Sequence, residues 1–154
     1  MKKVYYTCVM GNHDRVKPVC KTEGWEYLLF TDDKNIDHLN YDRVIPLSKE
    51  LTSDPLKIAR FIKIYPFKFF NADLSVWADA SIQININTDA LVAMHKKGKF
   101  TTMRHPERNC IYKEFDACRE LGKENTDVMA EQIGRYRAIG YPENNGLISS
   151  GFII

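Results

Sequence analysis

In ADLSVWADASIQI, residues 72–84, a short apolar run, Leu74 to Ala78, is followed at once by Asp79-Ala80-Ser81. A run of this length between polar residues reads as a strand. It delivers a carboxylate, Asp79, to its carboxyl end, where open α/β sheets bind ligands. Taken alone, Asp79 fits two roles evenly: a ligand-facing carboxylate, or a cap on the turn that follows. Beyond it Ile82, Ile84 and Ile86 alternate with polar residues, the spacing of a half-exposed strand.

Working outward, Lys3–Met10 and Trp25–Thr31 read as strands that end in polar loops, and Arg43–Leu47 as a short third strand. Asp54-Pro55 is a helix start, with Asp as the cap and Pro at the first helical position. Leu56, Ala59, Ile62 and Ile64 follow at near-helical spacing, and Pro66 breaks or kinks the helix. Thr88–Lys96 reads as a short helix capped by Thr88, and Lys99–Met103 as a strand. Ile111–Leu121 and Asp127–Ile139 read as helices separated by a turn over residues 122–126, with Gly140 closing the second. Leu147–Ile154 is a last apolar strand. Strands alternating with helices predict an open α/β sheet.

At 154 residues one domain is expected, long enough to bury a core without staples. A net charge of +2 gives no case for nucleic acid as the main partner. No run approaches the roughly 20 apolar residues of a membrane span, and the apolar run after Lys2-Lys3 is too short for a signal-peptide core. None of Cys8, Cys20, Cys110 and Cys118 forms a C-x-x-C pair, so reduced thiols and a cytoplasmic location are expected.

Gly11-Asn12-His13-Asp14 spells a metal-binding loop of calcineurin-like phosphoesterases, in which Asn and His ligate a dinuclear centre. Such a centre draws ligands from several strand ends. Only ten residues precede Gly11, none of them Asp or His, and the other histidines, His38, His95 and His105, are isolated. His13 is therefore read as a loop residue at a strand end, making local hydrogen bonds.

Many nucleotide-sugar glycosyltransferases place Asp-x-Asp where Asp79-Ala80-Ser81 stands here. A departing nucleoside diphosphate gathers negative charge, and a divalent cation held by carboxylates neutralises it. Oxygen ligands suit Mn²⁺ or Mg²⁺. In this chain a hydroxyl replaces the second carboxylate.

The motifs occur in a fixed order: YTCVMGNHD (6–14), FTDD (30–33), Arg60-x-x-Lys63 ahead of the strand ending in WADAS, HPERNCIYKE (105–114) and GYPENNGLISSG (140–151). This ordered set resembles the glycosyltransferase-like family of the plant TOD and MUCI type, and covers nearly the whole chain. The resemblance implies a GT-A fold, a Rossmann-type α/β/α sandwich with a mixed, mostly parallel sheet. It implies a nucleotide-sugar donor, a glycan acceptor and a role in polysaccharide biosynthesis. Family domains continue beyond the strand equivalent to Ser150–Ile154, and in related folds a late histidine adds a metal ligand. The chain is thus read as one nucleotide-sugar-binding domain, residues 1–154, short of the C-terminal part of the family domain.

Carried over by position, the resemblance puts Thr7, Cys8 and the loop from Met10 to His13 at the nucleotide pocket. Asp32 and Asp33 fall at the base or ribose, with a strand-ending turn as the other reading of both. Arg60 and Lys63 are three apart on one helix and share a face; the resemblance sets that face near the diphosphate, with a solvated helix face as the other reading. Asp79 is the candidate ligand for Mn²⁺ or Mg²⁺, with Ser81 beside it. His105, with Arg104 and Arg108 nearby, forms a polar cluster after a strand and reads either as substrate-binding or as structural. Glu114 and Asn145 are implied on the acceptor side, Glu114 reading equally as a helix-surface residue, and Trp25 and Trp77 are read as core. No catalytic base is identifiable, and the oligomeric state is open. Two rival readings stand beside a glycosyltransferase: a nucleotide-sugar-binding module without turnover, and a hydrolase using Asp79 and His105.

Overall fold

The computed structural model describes residues 1–11, 13–48, 54–123 and 126–154. Among them are six strands: β1 (Lys3–Val9), β2 (Trp25–Thr31), β3 (Arg43–Pro46), β4 (Leu74–Ala78), β5 (Thr102–Arg104) and β6 (Ile148–Ile153). Four helices accompany them: α1 (Pro55–Ile64), α2 (Thr88–Val92), α3 (Ile111–Glu120) and α4 (Thr126–Ala138). The sheet runs β3-β2-β1-β4-β6-β5. β1 pairs in parallel with β2 and β4, β2 in parallel with β3, and β4 antiparallel with β6. The architecture is the expected mixed, mostly parallel α/β sheet.

The chain forms two compact units, Met1–Thr101 with Gly151–Ile154, and Thr102–Ser150. In the first, β1 is buried on both faces and its side chains alternate between two cores. Tyr5 and Val9 join Tyr27, Leu29, Tyr41, Val76 and Ala78 on one face. Val4, Tyr6 and Cys8 join Leu28, Phe30, Trp77, Ile58 and Ile62 on the other. Aromatic edges fill the second core, with Tyr6 5.1 Å from Trp77 and Phe30 5.6 Å from Phe69 between ring centroids.

The start of α1 follows the sequence: the Asp54 carboxylate accepts from the backbone N–H groups of Leu56 and Lys57, and Pro55 opens the helix. Its inward face departs from the expected one. Ile58 and Ile62 are buried, whereas Leu56 and Ile64 are exposed. Two residues along a helix is about 200° of rotation, so Leu56 and Ile64 cannot share the stripe that Ile58 and Ile62 define one turn apart.

Three further expectations are corrected. Ile82, Ile84 and Ile86 form no strand; the Ile82 N–H turns back to the Asp79 carbonyl at 2.8 Å, and Ile86 is exposed. With β1 on one side of β4 and β6 on the other, no edge is free there to pair with a further strand. The helix expected over residues 88–96 stops at Val92, and its cap is Asn87. Thr88 is buried instead, its N–H donating to Thr22 Oγ1 and its hydroxyl bonded to Tyr27 Oη, both at 2.8 Å. The strand expected over residues 99–103 is β5, displaced toward the C-terminus.

In the second unit, Cys110, Tyr112 and Ile133 form a small core between α3 and α4. Tyr112 Oη donates to the Tyr141 carbonyl at 2.7 Å, tying the start of α3 to the segment after α4. Gly140 ends α4 at a φ of +69°. Residues 124 and 125 of the expected turn lie outside the described residues. All four cysteines are unpaired. Among the described residues no helix is long and apolar enough to cross a membrane.

Candidate functional site

The strand order marks a candidate site before any side chain is considered. From β1 the chain crosses to β2 and β3 on one side, then returns through α1 to β4 on the other side of β1. The carboxyl ends of β1 and β4 therefore flank a reversal of strand order, where an open α/β sheet leaves a crevice for ligands. Asp79 stands at the end of β4, and Gly11 begins the loop after β1. Larger cavities, about 520 and 550 Å³, lie at the opposite, amino ends of β1 and β4 around Lys2, Asp73 and Leu74.

At the end of β4 the Asp79 carboxylate is held on one oxygen. Lys63 Nζ donates to Oδ1 at 3.0 Å and Trp77 Nε1 to the same atom at 2.7 Å. Trp77 and Asp79 are two apart on an extended chain and so face the same way, toward the core that contains α1. Lys63 comes from the last turn of α1, the crossover leading into β4. Its side chain is 11 % exposed, with Nζ 5.5 Å from the Trp77 ring centroid, and the Asp79 side chain is 39 % exposed. The Asp79 N–H donates to the Gly151 carbonyl at 2.8 Å. Ser81 and Arg60 are exposed.

At the end of β1 the two expected pocket residues are core. Thr7 is fully buried, its hydroxyl donating to the Ala78 carbonyl at 2.7 Å as a bond between strands. Cys8 is buried, and desolvation, with the Asp32 carboxylate nearby, pushes its thiol up to about 12. Asp32 fixes the loop instead: its Oδ1 accepts from the Gly11 N–H at 3.0 Å. Asp33 accepts from the Asn35 N–H at 2.8 Å. It also lines a cavity of about 320 Å³ with Val9, Asp14, Arg15, Asn35 and Asp37. Asn12 lies outside the described residues, and His13 is exposed, its N–H on the Met10 carbonyl.

Gly11 sits at a φ of +61°, and a Cβ there would stand 3.2 Å from Pro55 Cγ and 3.3 Å from His13 Cδ2. Gly11→Ala is thus expected to cost about 1–2 kcal/mol from the left-handed backbone, read by urea unfolding. A loss below about 0.5 kcal/mol, the range of an ordinary surface change, overturns this reading.

The second unit has a polar cluster of its own. His105 Nδ1 accepts from the N–H groups of Glu107 and Arg108 at 3.3 and 3.1 Å. Its Nε2 lies 3.4 Å from Glu114 Oε2, which also takes the Arg108 Nε–H. Cys118 Sγ donates to Glu114 Oε1 at 3.4 Å. Burial pushes the Glu114 carboxyl up, but Arg108, Cys118 and His105 outweigh it and hold it below the usual carboxylate range. Burial and Glu114 push the Cys118 thiol up. Asn145 is exposed, its Nδ2 on Tyr141 Oη at 3.2 Å.

Among the described residues no three His, Cys, Asp or Glu side chains converge as a metal site would require. The donor set at Asp79 does not fit a chelated divalent cation: it offers one carboxylate whose Oδ1 already carries an ammonium, with a hydroxyl two residues on in place of a second acid. The pairing of Lys63 with Asp79, and the placing of Asp14 and Arg15 beside Asp33, are what sequence reasoning missed. The alternation along β4 offered a signal for Trp77, since its indole N–H had to find an acceptor.

The chain matches the family described as TOD1/MUCI70, glycosyltransferase-like domain, over residues 3–146. It belongs to that family. No curated protein and no solved structure matches it significantly.

Proposed function

We propose that the chain is a glycosyltransferase that binds a nucleotide-diphosphate sugar at the crevice between the ends of β1 and β4 and transfers the sugar to a glycan acceptor. One observation carries this reading: the Lys63–Asp79 pair stands at the strand-order reversal of a mostly parallel sheet, in a member of a glycosyltransferase-like family. The cavity at Asp14, Arg15, Asp33 and Asp37 supports it. Carboxylates there suit ribose hydroxyls, and an arginine suits the flat edge of a base or a phosphate.

A nucleotide-sugar-binding module without turnover is the second reading, favoured by the pairing of Asp79 Oδ1 with an ammonium where an Asp-x-Asp enzyme would hold its metal. The hydrolase reading loses support, because both ring nitrogens of His105 are engaged within its own unit.

Thermal-shift screening against UDP, GDP, CDP and ADP sugars tests the donor. A ligand at about 100 times its Kd adds roughly 2.7 kcal/mol, a rise of about 5–10 °C for a domain of this size. Slow hydrolysis of the bound donor, followed by release of free sugar, then separates an enzyme from a binding module. A flat screen with all four overturns the donor reading.

A further inference from the structure

The site pairs one positive charge with one negative charge where the resemblance implied a carboxylate and a metal. The ammonium of Lys63 is fixed from several directions. Nζ lies over the Trp77 ring and donates one N–H to Asp79 Oδ1, while the Tyr6 hydroxyl, bonded to the Lys63 backbone carbonyl at 3.0 Å, fixes the end of α1 from which the side chain starts. Asp79 is fixed independently, because the Trp77 indole N–H holds the same oxygen at 2.7 Å. An ammonium carries three N–H donors. One directed at Asp79 leaves others for a ligand, and a cation already in place at this carboxylate repels a second one.

From this we infer that Lys63, rather than a chelated divalent cation, supplies the positive charge that meets the donor's diphosphate, and that Asp79 is the counter-charge that holds the Lys63 ammonium in the ligand-free protein and yields it to the diphosphate. The inference rests on the reading of the site as one for a nucleotide-diphosphate donor. A diphosphate carries more negative charge than one carboxylate and forms charge-assisted bonds to ammonium groups, so it can draw Lys63 partly away from Asp79. The Trp77 bond keeps the carboxylate in place meanwhile.

Calorimetric titration with UDP, GDP, CDP and ADP, in Mn²⁺ and separately in EDTA, tests this. In wild type the best nucleotide is expected to bind in EDTA within about threefold of its affinity in Mn²⁺, a difference of roughly 0.7 kcal/mol. Lys63→Met is expected to weaken that binding at least about tenfold, with Lys63→Arg retaining most of it. Asp79→Asn removes a competing anion while Trp77 can still donate to the amide oxygen, so it is expected to tighten binding in EDTA about threefold or more. Binding that requires Mn²⁺ and disappears in Asp79→Asn overturns the inference and leaves the donor reading intact. Failure of all four nucleotides in both conditions overturns the donor reading and this inference with it. Where Lys63→Met fails to fold, the wild-type comparison still decides whether the site needs a divalent cation, and Lys63→Arg reads the part played by the ammonium.

Discussion

Trp77→Ala is expected to lower the free energy of unfolding by about 3–5 kcal/mol, the range for deleting a large buried aromatic. The indole is 2 % exposed and meets Tyr6 edge-on at 5.1 Å. It also lies under Lys63 Nζ and donates to Asp79. Deleting it removes apolar contact from the core beneath α1 and unpins the one carboxylate at the end of β4. Trp77→Phe separates the two losses. A phenyl ring keeps most of the packing but has no N–H, so this variant is expected to lose about 1–3 kcal/mol, the range for a bond to a charged acceptor. Denaturant unfolding followed by far-ultraviolet circular dichroism reads both. An alanine variant within about 1 kcal/mol of wild type would contradict the packing described here.

Much of the first unit was legible in the sequence because its signals are local. β2 and β4 begin and end as the apolar runs do, and β1 within one residue. The cap of α1 was readable because Asp before Pro has one common use. What failed depended on distant partners. The alternation at Ile82, Ile84 and Ile86 is a true strand pattern, but a strand needs an edge, and β1 and β6 occupy both edges of β4. Thr88 looked like a cap, but Thr22 and Tyr27, more than sixty residues earlier, claim its N–H and hydroxyl for the core.

The candidate site was half legible for the same reason. Asp79 follows from the strand that delivers it, and Lys63 was singled out from its spacing to Arg60. That the two meet, sixteen residues apart, depends on how α1 crosses back over β4. The resemblance supplied roles by position, but it could not show that Thr7 and Cys8 turn inward. Nor could it show Asp32 tying down the loop after β1.

The meeting of Lys63 and Asp79 reverses an argument about stability. With no cation nearby, removing the Asp79 charge would be harmless to the fold or even favourable. With Lys63 11 % exposed and bonded to Asp79, removal leaves a mostly buried ammonium without its counter-charge. Asp79→Asn is therefore expected to destabilise the ligand-free protein by about 1–3 kcal/mol, the cost of stranding a buried charged donor. Lys63→Met should cost less, because the carboxylate it leaves behind is 39 % exposed to water and keeps the Trp77 N–H. The asymmetry distinguishes this pair from an exposed ion pair, for which both changes fall within about 1 kcal/mol. A double-mutant cycle with Lys63→Met isolates the coupling. Because a diphosphate can replace the missing counter-charge, saturating nucleotide in EDTA should raise the melting temperature of Asp79→Asn by more than it raises that of wild type. Equal shifts in the two proteins, together with an unfolding free energy unchanged by Asp79→Asn, would show that Lys63 does not depend on Asp79 and would leave the carboxylate as a turn residue at the end of β4.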